Sequence, residues 1–240
     1  MNINTSTKEA INQVRWPRLF IAALILLVLP AVILFVSSGN LSWGMAWVYI
    51  GLTTAFGLGS RIIMLWKIPD LAAERGQSLD KDDTARWDKI LMPLVAIVGP
   101  IVMLLIAGLD ERFSWSPDLP QMLQIAAFVG TALGYFLGVW AMMVNKYFSA
   151  VVRIQQERGQ TVVTLGPYQY IRHPGYAGAM VANFAIPLLL DSLWALVPAI
   201  IVNCLIVVRT TLEDNLLQDS LDGYRDYANL VRYRLIPRVW

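Results

Sequence analysis

The sequence predicts an all-α fold, a polytopic bundle of about six transmembrane helices. Of its 240 residues, 57% are hydrophobic and only 15% are charged, whereas soluble domains average about 45–50% apolar and 25% charged residues. Long uncharged runs recur along the chain, and lysine and arginine collect in alternate connections between them. At this length, a single lipid-embedded unit is the simplest account of both patterns.

Each predicted span is an uncharged run long enough to cross the bilayer. About twenty residues, each rising 1.5 Å along a helix, cover a hydrocarbon core of about 30 Å. Four runs are clear, and beyond Pro174 two further runs meet at the turn Asp191-Ser192. The predicted spans are 19–36, 45–60 extended through 66, 90–109, 122–144, 175–190 and 193–208. A tilted or re-entrant fifth segment, which is short, would leave five full spans.

The orientation follows from the basic residues. They precede the first span, lie between the second and third, follow the fourth and close the chain, while the opposite loops 37–44 and 110–121 contain only Arg112. Because cytoplasmic loops carry the excess of lysine and arginine, both termini are predicted to be cytoplasmic. The first span lacks a small-residue cleavage site, which favours a retained anchor over a signal peptide. A net charge of +2, sorted by membrane side, does not indicate a nucleic-acid partner.

Two cytoplasmic connections are longer than the topology needs. Segment 67–89 mixes charges of both signs and is interpreted as a solvated helical connector. Segment 145–173 contains the turn signal Gly166-Pro167-Tyr168, which ends any helix continuing from the fourth span. The single cysteine, Cys204, is interpreted as a packing residue. Since His173 is also the only histidine, no metal site is predicted.

The run Arg172-His173-Pro174-Gly175-Tyr176 stands where the chain re-enters the membrane. Proline suits the first turn of a helix, and a helix N-terminus presents free N–H groups to an anion. Arg172 would add a fixed cation, and His173 a switchable donor or acceptor. The run therefore predicts a site for an anionic ligand at the membrane surface. The alternative is that Arg172 anchors the chain at the interface while His173 and Tyr176 only pack.

Arg209 and Glu213 lie at the end of the last apolar run, followed by Asp214. Four residues apart on a helix, they share a face and are predicted to pair. A charge below the lipid headgroups costs about 2.5–3.5 kcal/mol on insertion scales, and such placements usually mark function. The alternative is a helix-end ion pair. The tail 221–240 alternates aromatic residues with arginines and is interpreted as a membrane-surface lid or an anchoring tail.

Five short motifs follow one another in the second half of the chain. They are Thr161-Val162-Val163-Thr164, Gly166-Pro167-Tyr168, Arg172-His173-Pro174-Gly175-Tyr176, Arg209 before Glu213-Asp214, and Tyr224-Arg225-Asp226-Tyr227. Their order and spacing resemble the isoprenylcysteine carboxyl methyltransferase family, membrane-embedded S-adenosylmethionine-dependent enzymes related to phospholipid methyltransferases. The resemblance divides the chain into N-terminal transmembrane helices, 1–144, and a methyltransferase core, 145–240.

The resemblance implies a cytoplasmic-side pocket for S-adenosylmethionine and a lipophilic or lipidated methyl acceptor. It implies that Arg209 faces the acceptor and that Arg209 and Glu213 act in catalysis. Asp214 stands where the family has a second glutamate, which puts any role for that position in doubt. The implied cofactor-binding residues are Gln160, Thr161, Val162, Val163, Tyr168, His173, Pro174, Gly175, Tyr176 and Glu213.

The chemistry of this cofactor agrees with the residue types. S-adenosylmethionine carries a carboxylate, an ammonium and a sulfonium, so an Arg/His helix start suits the first, and Glu213 suits an amine or a hydroxyl. Methyl transfer to an anionic acceptor needs mainly alignment in a dry site. An arginine that binds an acceptor carboxylate also makes it less nucleophilic, so Arg209 would position that carboxylate more than activate it. An amine acceptor would need a base, for which Glu213 or Asp214 is nearest.

The sequence leaves the acceptor open between a carboxylate, a thiol and an amine, and it leaves two other functions open. An NADPH-dependent membrane reductase of the sterol-reductase kind resembles the chain in a related Arg-His and acidic C-terminal pattern, but it demands more basic residues for the 2′-phosphate. A non-catalytic membrane scaffold is suggested by the departure at Asp214. Membrane lipids are predicted partners in every case.

Overall fold

The computed structural model describes residues 16–77 and 83–240, which form helices and connecting segments with no strand among them. The predicted all-α fold is confirmed. The helices are α1 (Trp16–Ser38), α2 (Gly44–Lys67), α3 (Pro69–Gln77), α4 (Asp88–Phe113), α5 (Gln121–Val144), α6 (Pro174–Leu189), α7 (Leu196–Ser220) and α8 (Tyr224–Leu230). Within α4, Leu94–Val98 is a π-helical turn, and the 3₁₀ turns Gln156–Arg158 and Gly166–Gln169 lie between α5 and α6.

Helices α2, α4, α5 and α7 are long and apolar enough to cross a membrane. Two shorter apolar helices accompany them: α6, and the part of α1 from Leu24 to Ser38. The protein is therefore an integral, multi-pass membrane protein, as predicted. Helix α6 has 16 residues, or about 24 Å at 1.5 Å per residue, which is less than a hydrocarbon core of about 30 Å. This length agrees with the short fifth segment expected from the sequence.

The outer surface of the bundle is apolar. Leu133 is 59% exposed and Ile201 is 56% exposed, an arrangement that water disfavours and that lipid accommodates. Cys204 is also exposed, so its interpretation as a packing residue is wrong. The buried face of α7 passes through Val202 and Ile206, and the helical period turns position 204 away from it.

Glycines bring α5 and α6 into backbone contact. Gly134 of α5 faces Gly178 of α6, and a Cβ on Gly134 would lie 2.5 Å from the Gly178 carbonyl oxygen and 2.9 Å from Ala182 N. Small residues at helix interfaces allow this close approach in membranes. The short α6 is held against the long α5 and also packs on α7. This packing fixes the start of α6, where the candidate site forms.

The described part of segment 67–89 is not the solvated connector that its mixed charges predicted. Leu71 and Ala72 of α3 are almost fully buried in an apolar cluster with the ends of α2 and α5. Two acids are buried as well, Glu74 at 7% exposure and Asp88 at 0%. Arginines from later parts of the chain pair with both acids. The mixed charge therefore marks tertiary ion pairs instead of a solvated face.

The opposite end of the bundle is joined by a hydrogen-bonded clamp. Asp110 accepts hydrogen bonds from Ser116 N at 2.7 Å, from Ser116 Oγ at 2.6 Å and from Ser192 Oγ at 2.5 Å. Leu119 N donates to Asp191 at 2.8 Å. These bonds tie the loop after α4 to the turn between α6 and α7.

Candidate functional site

A cavity of about 460 Å³ lies where α4 and α6 begin and α7 ends. Its lining differs from one side to the other. The three helices contribute the apolar side chains of Met92, Val95, Ala96, Ala179 and Ile206, and also the polar side chains of Tyr176, Asn183, Arg209 and Glu213. The segment between α5 and α6 contributes polar and aromatic groups, which include Asn145, Tyr147, Gln155, Gln160, Thr161 and Tyr168. The cavity thus joins an apolar compartment to a polar one.

The predicted site residues converge on this cavity with one exception. Pro174 is fully buried at the first turn of α6 and does not line the cavity. Its fixed φ favours this position at the start of a helix. Arg209 and the other nine residues predicted for the cofactor line the cavity; the nine are Gln160, Thr161, Val162, Val163, Tyr168, His173, Gly175, Tyr176 and Glu213. Their binding roles stay predictions.

The segment between α5 and α6 is held in shape by its own side chains. Gln155 N donates to Gln160 Oε1 at 2.7 Å, and Gln155 Nε2 donates to the Tyr147 carbonyl at 2.8 Å. The Tyr147 hydroxyl donates to the Gly159 carbonyl at 2.7 Å. Gly159 has φ +58, a left-handed conformation that favours glycine. These contacts fix Gln160 at the cavity wall.

Asp214 is a fully buried carboxylate that accepts hydrogen bonds from several side chains beside the cavity. Its Oδ1 accepts from Arg172 Nε at 2.8 Å and from the Tyr224 hydroxyl at 3.0 Å, and it lies 3.2 Å from His173 Nε2. Its Oδ2 accepts from Arg172 Nη2 and Arg234 Nε, each at 2.9 Å. Asp214 therefore has a structural role, as a buried carboxylate bound by the guanidinium groups of Arg172 and Arg234. Arg172, which the sequence suggested as a fixed cation for an anionic ligand, forms two hydrogen bonds to Asp214.

The C-terminal tail forms part of the site. Arg172 N donates to the Tyr233 carbonyl and His173 N to the Arg234 carbonyl, each at 2.9 Å. Arg172 Nη1 donates to the carbonyl oxygens of three tail residues, Ala228, Val231 and Arg232. Tyr224 and Tyr227 line the cavity itself. The tail thus holds the start of α6 in place, a function beyond anchoring to the membrane surface.

Glu213 pairs with Tyr176 and not with Arg209. The Tyr176 hydroxyl donates to Glu213 Oε2 at 2.5 Å, and the Tyr176 ring stacks on His173 with centroids 5.9 Å apart. The Arg209 guanidinium carbon lies over the Tyr176 ring, 5.3 Å from its centroid. The predicted helix-face ion pair is therefore replaced by two separate contacts, each to a residue outside α7.

The ion-pair partner of Arg209 is Asp88, the first residue of α4. Arg209 Nε donates to Asp88 Oδ1 at 2.6 Å, and Arg209 Nη2 donates to Oδ2 at 2.9 Å. Asp88 is 0% exposed and also accepts from Val152 N at 2.7 Å. Sequence reasoning missed Asp88, although an acid bordering a long apolar run was a usable signal for a paired buried charge.

Arg153 ties α3 to the cavity wall through three carboxylates. It donates to Glu74 at 2.7 Å, to Asp83 at 2.8 Å and to Glu157 at 2.6 Å. Burial alone lowers the pKa of Arg153, but these carboxylates outweigh it and raise the pKa above its ordinary value. Arg153 is therefore a permanent cation that braces this wall.

Three buried tyrosines of the site stay protonated at neutral pH. Burial raises the pKa of Tyr168, Tyr224 and Tyr227 above the ordinary value of 10.0. The charge of Asp214 raises the pKa of Tyr224 further. The Tyr227 hydroxyl donates to the Tyr168 carbonyl at 2.7 Å, and Asn145 Nδ2 donates to the Tyr168 hydroxyl at 3.1 Å. The hydroxyls of Tyr224 and Tyr227 thus donate hydrogen bonds and that of Tyr168 accepts one, and all three bonds hold the wall together.

One comparison with known proteins bears on this site. Residues 125–219 match the model of the Isoprenylcysteine carboxyl methyltransferase (ICMT) family. The resemblance inferred from the sequence is confirmed for this segment, which covers less than half of the chain. No curated protein matches the chain significantly.

The ICMT segment begins within α5 and ends with α7, before the tyrosines of the tail. It includes the residues predicted to bind the cofactor, together with Arg209 and Asp214. Asp88 and Glu74 lie outside it. With the membrane helices, the match supports a membrane methyltransferase. Among the described residues, no group of three or more acidic, cysteine or histidine side chains is placed to hold a metal ion.

Proposed function

We propose that the protein is an integral membrane methyltransferase that uses S-adenosylmethionine and methylates a lipophilic acceptor. The observation that carries this proposal is the two-sided cavity within a chain that matches the ICMT family. Its polar side suits a water-soluble donor, and its apolar side, lined by membrane-spanning helices, suits an acceptor from the bilayer. One cavity would therefore bring the two substrates together.

The residues of the polar side fit S-adenosylmethionine. The cavity volume of about 460 Å³ lies within the roughly 300–1,000 Å³ of typical ligand sites. The Glu213 carboxylate suits the ammonium or a ribose hydroxyl. The rings of Tyr147, Tyr168 and Tyr224 line the cavity, and aromatic faces attract cations such as a sulfonium. Because Arg172 is paired with Asp214, neutral hydrogen-bond donors, such as the Gln160 side-chain amide, would bind the carboxylate of S-adenosylmethionine.

When bound, S-adenosylmethionine supplies an electrophilic methyl group on a positively charged sulfur. The residues of the chain would then contribute to the rate by aligning the two partners and excluding water. Arg209 holds the acceptor by hydrogen bonding. Glu213, with Tyr176 donating to its Oε2, holds the donor. For an amine acceptor, Glu213 would also be the base that takes the proton.

The proposed topology places the cavity and both termini in the cytoplasm. Four arginines line the cavity, Arg75, Arg153, Arg172 and Arg209, and the excess of basic residues on one side supports a cytoplasmic position for it. S-adenosylmethionine would thus be taken from the cytoplasm. The acceptor class stays open between a carboxylate, a thiol and an amine.

Calorimetric titration of the detergent-purified protein with S-adenosylmethionine and S-adenosylhomocysteine tests the donor. We expect both to bind, and we expect His173→Ala and Glu213→Ala to weaken binding at least tenfold, about 1.4 kcal/mol. Asp219→Asn is the matched control, because Asp219 is 70% exposed in its side chain. Absence of binding by the parent protein would overturn the proposal. Unchanged affinity in both alanine variants would overturn the site assignment alone.

Labelled-methyl transfer to a defined panel tests the acceptor. The panel contains an N-acetyl-S-prenylcysteine, a long-chain thiol and a long-chain amine, with membrane extract as a source of natural acceptors. Transfer to one member names the acceptor class. NADPH enters the calorimetry as a competing ligand, and binding of NADPH in place of S-adenosylmethionine would establish a reductase. Binding without transfer to any acceptor would favour a scaffold.

A further inference from the structure

Asp88 is a fully buried acid that the proposed mechanism does not yet use. It begins α4 and lies outside the matched ICMT segment, yet both of its oxygens bond to Arg209, at 2.6 and 2.9 Å. Two parallel bonds between a carboxylate and a guanidinium fix the plane of the guanidinium as well as its position. Asp88 therefore controls the direction in which Arg209 points.

The remaining donors of Arg209 can be counted. A guanidinium has five N–H groups, of which Nε and one N–H of Nη2 donate to Asp88, and Nη2 also donates to the Ala150 carbonyl at 3.0 Å. Within residues 16–77 and 83–240, no hydrogen-bond partner of Nη1 is found. The only fully buried and unpaired side-chain polar atom in the same ranges is Thr54 Oγ1. Nη1 is therefore accessible, and Arg209 lines the cavity.

We propose that Asp88 is a positioning residue that turns Nη1 of Arg209 toward the methyl acceptor. This inference rests on the proposed function. Arg209 is the residue that donates a hydrogen bond to the methyl acceptor. Asp88 acts through Arg209 and contacts neither substrate. The Tyr176 ring, whose centroid lies 5.3 Å from the guanidinium carbon, makes a second contact that holds the guanidinium. Asp88 thus adds an ion-pair contact from the first half of the chain to the apolar lining that Met92, Val95 and Ala96 supply.

A purely structural role for Asp88 must be distinguished from this one, because Asp88 also accepts from Val152 N at 2.7 Å. Loss of that bond would disturb the wall between α5 and α6 and would weaken S-adenosylmethionine binding. Loss of orientation at Arg209 would instead affect the acceptor. The two roles therefore predict different kinetic signatures.

The test compares Asp88→Asn, Asp88→Glu, Arg209→Gln and the double variant Asp88→Asn/Arg209→Gln, with Asp219→Asn as the exposed control. The assay is labelled-methyl transfer to the panel member with the highest turnover, or to membrane extract where no member reacts. We expect Asp88→Asn to lower kcat/KM for the acceptor roughly 10- to 100-fold, and the Kd for S-adenosylmethionine to change less than about twofold. Asp88→Glu should restore part of the loss.

The double variant decides the matter. If Asp88 acts through Arg209, Asp88→Asn should cause no further loss in the Arg209→Gln background. Where that background has no turnover, the calorimetric Kd for the acceptor gives the same comparison. Additive losses, or an equal loss of S-adenosylmethionine affinity in Asp88→Asn, would overturn the proposal. Failure of the parent protein to bind S-adenosylmethionine would instead refute the proposed function.

Discussion

Asp214 accepts two parallel hydrogen bonds from Arg172, at 2.8 and 2.9 Å, with its own side chain 0% exposed. The pair joins the end of α7 to the residue two before α6. Because Arg172 also donates to carbonyl oxygens of the tail, one carboxylate organises three parts of the site. Its removal should therefore affect folding before it affects chemistry.

Asp214→Asn should lower the free energy of unfolding by about 3–5 kcal/mol, the usual cost of breaking a buried ion pair from one side. The substitution removes the negative charge that pairs with the guanidinium groups of Arg172 and Arg234. Chemical denaturation in detergent, followed by tyrosine and tryptophan fluorescence, measures the change. A loss below about 1 kcal/mol would contradict the assigned role of Asp214.

Asp214→Glu and Asp219→Asn are the matched comparisons for that experiment. Glutamate restores the charge, but its extra methylene must enter a fully buried position, so an intermediate loss of about 1–3 kcal/mol is expected. Asp219 pairs with Arg225 at 3.0 Å, with both side chains 70% exposed. Breaking this surface pair should cost less than about 1 kcal/mol.

Tyr227→Phe should change the pH dependence of stability in the alkaline range. Because burial raises the pKa of Tyr227 in the folded protein, the unfolded chain releases this proton first. Stability from this group is therefore complete below pH 10 and falls above it, by up to about 1.4 kcal/mol per pH unit. The variant should be less stable by about 1 kcal/mol at pH 8, because the bond to the Tyr168 carbonyl is lost. The difference should shrink above pH 10, and a constant difference from pH 8 to 11.5 would contradict this account.

Much of the fold was predictable because lipid imposes simple rules. The apolar runs predicted the spans, and the bound of about 30 Å on the hydrocarbon core identified the short fifth segment. The interior contacts of segment 67–89 were not predictable, since Glu74 pairs with Arg153 and Asp88 pairs with Arg209, both much later in the chain. Local charge pattern cannot show a partner 79 or 121 residues away.

Gly134→Ala should destabilise the α5–α6 contact. A Cβ there would meet backbone atoms of Gly178 and Ala182 at 2.5–2.9 Å, and backbone yields less easily than a flexible side chain. The overpacking cost is typically 1–3 kcal/mol. Gly138→Ala is the matched control on the same helix, because a Cβ at Gly138 meets nothing within 4 Å. Thermal unfolding in detergent should therefore separate the two variants, and equal midpoints would contradict the proposed contact.

Glu74→Gln should destabilise the protein more than Asp83→Asn or Glu157→Gln. All three acids pair with Arg153, but the Glu74 side chain is 6% exposed, whereas the other two are 50% exposed. We expect a loss of about 1.5–3 kcal/mol for Glu74 and less than about 1 kcal/mol for each exposed acid. Denaturation at low and high salt provides the check. Salt should reduce the stability loss only for Asp83→Asn and Glu157→Gln, whose ion pairs are exposed. A large effect of salt on the loss for Glu74→Gln would contradict the burial of Glu74.

The sequence predicted which residues line the cavity, but not how their side chains pair. The order of the motifs indicated that Gln160, His173 and Glu213 belong to one site. This was possible because motif spacings and helix starts are local properties of the sequence. The spacing of Arg209 and Glu213 predicted a pair that the structure replaces with Asp88 and Tyr176. A partner from another helix is preferred when it is buried and already oriented, and only the assembled bundle supplies one.

Asp88 is translated 121 residues before Arg209, an interval of roughly 6–24 s at 5–20 residues per second. Until α7 arrives, the carboxylate lacks Arg209, so we expect water to solvate it at the membrane surface. We expect α4 to enter the bilayer early but to reach its final depth only when α7 inserts. The ion pair that orients the candidate site would thus also set the order of steps in the biogenesis of the bundle.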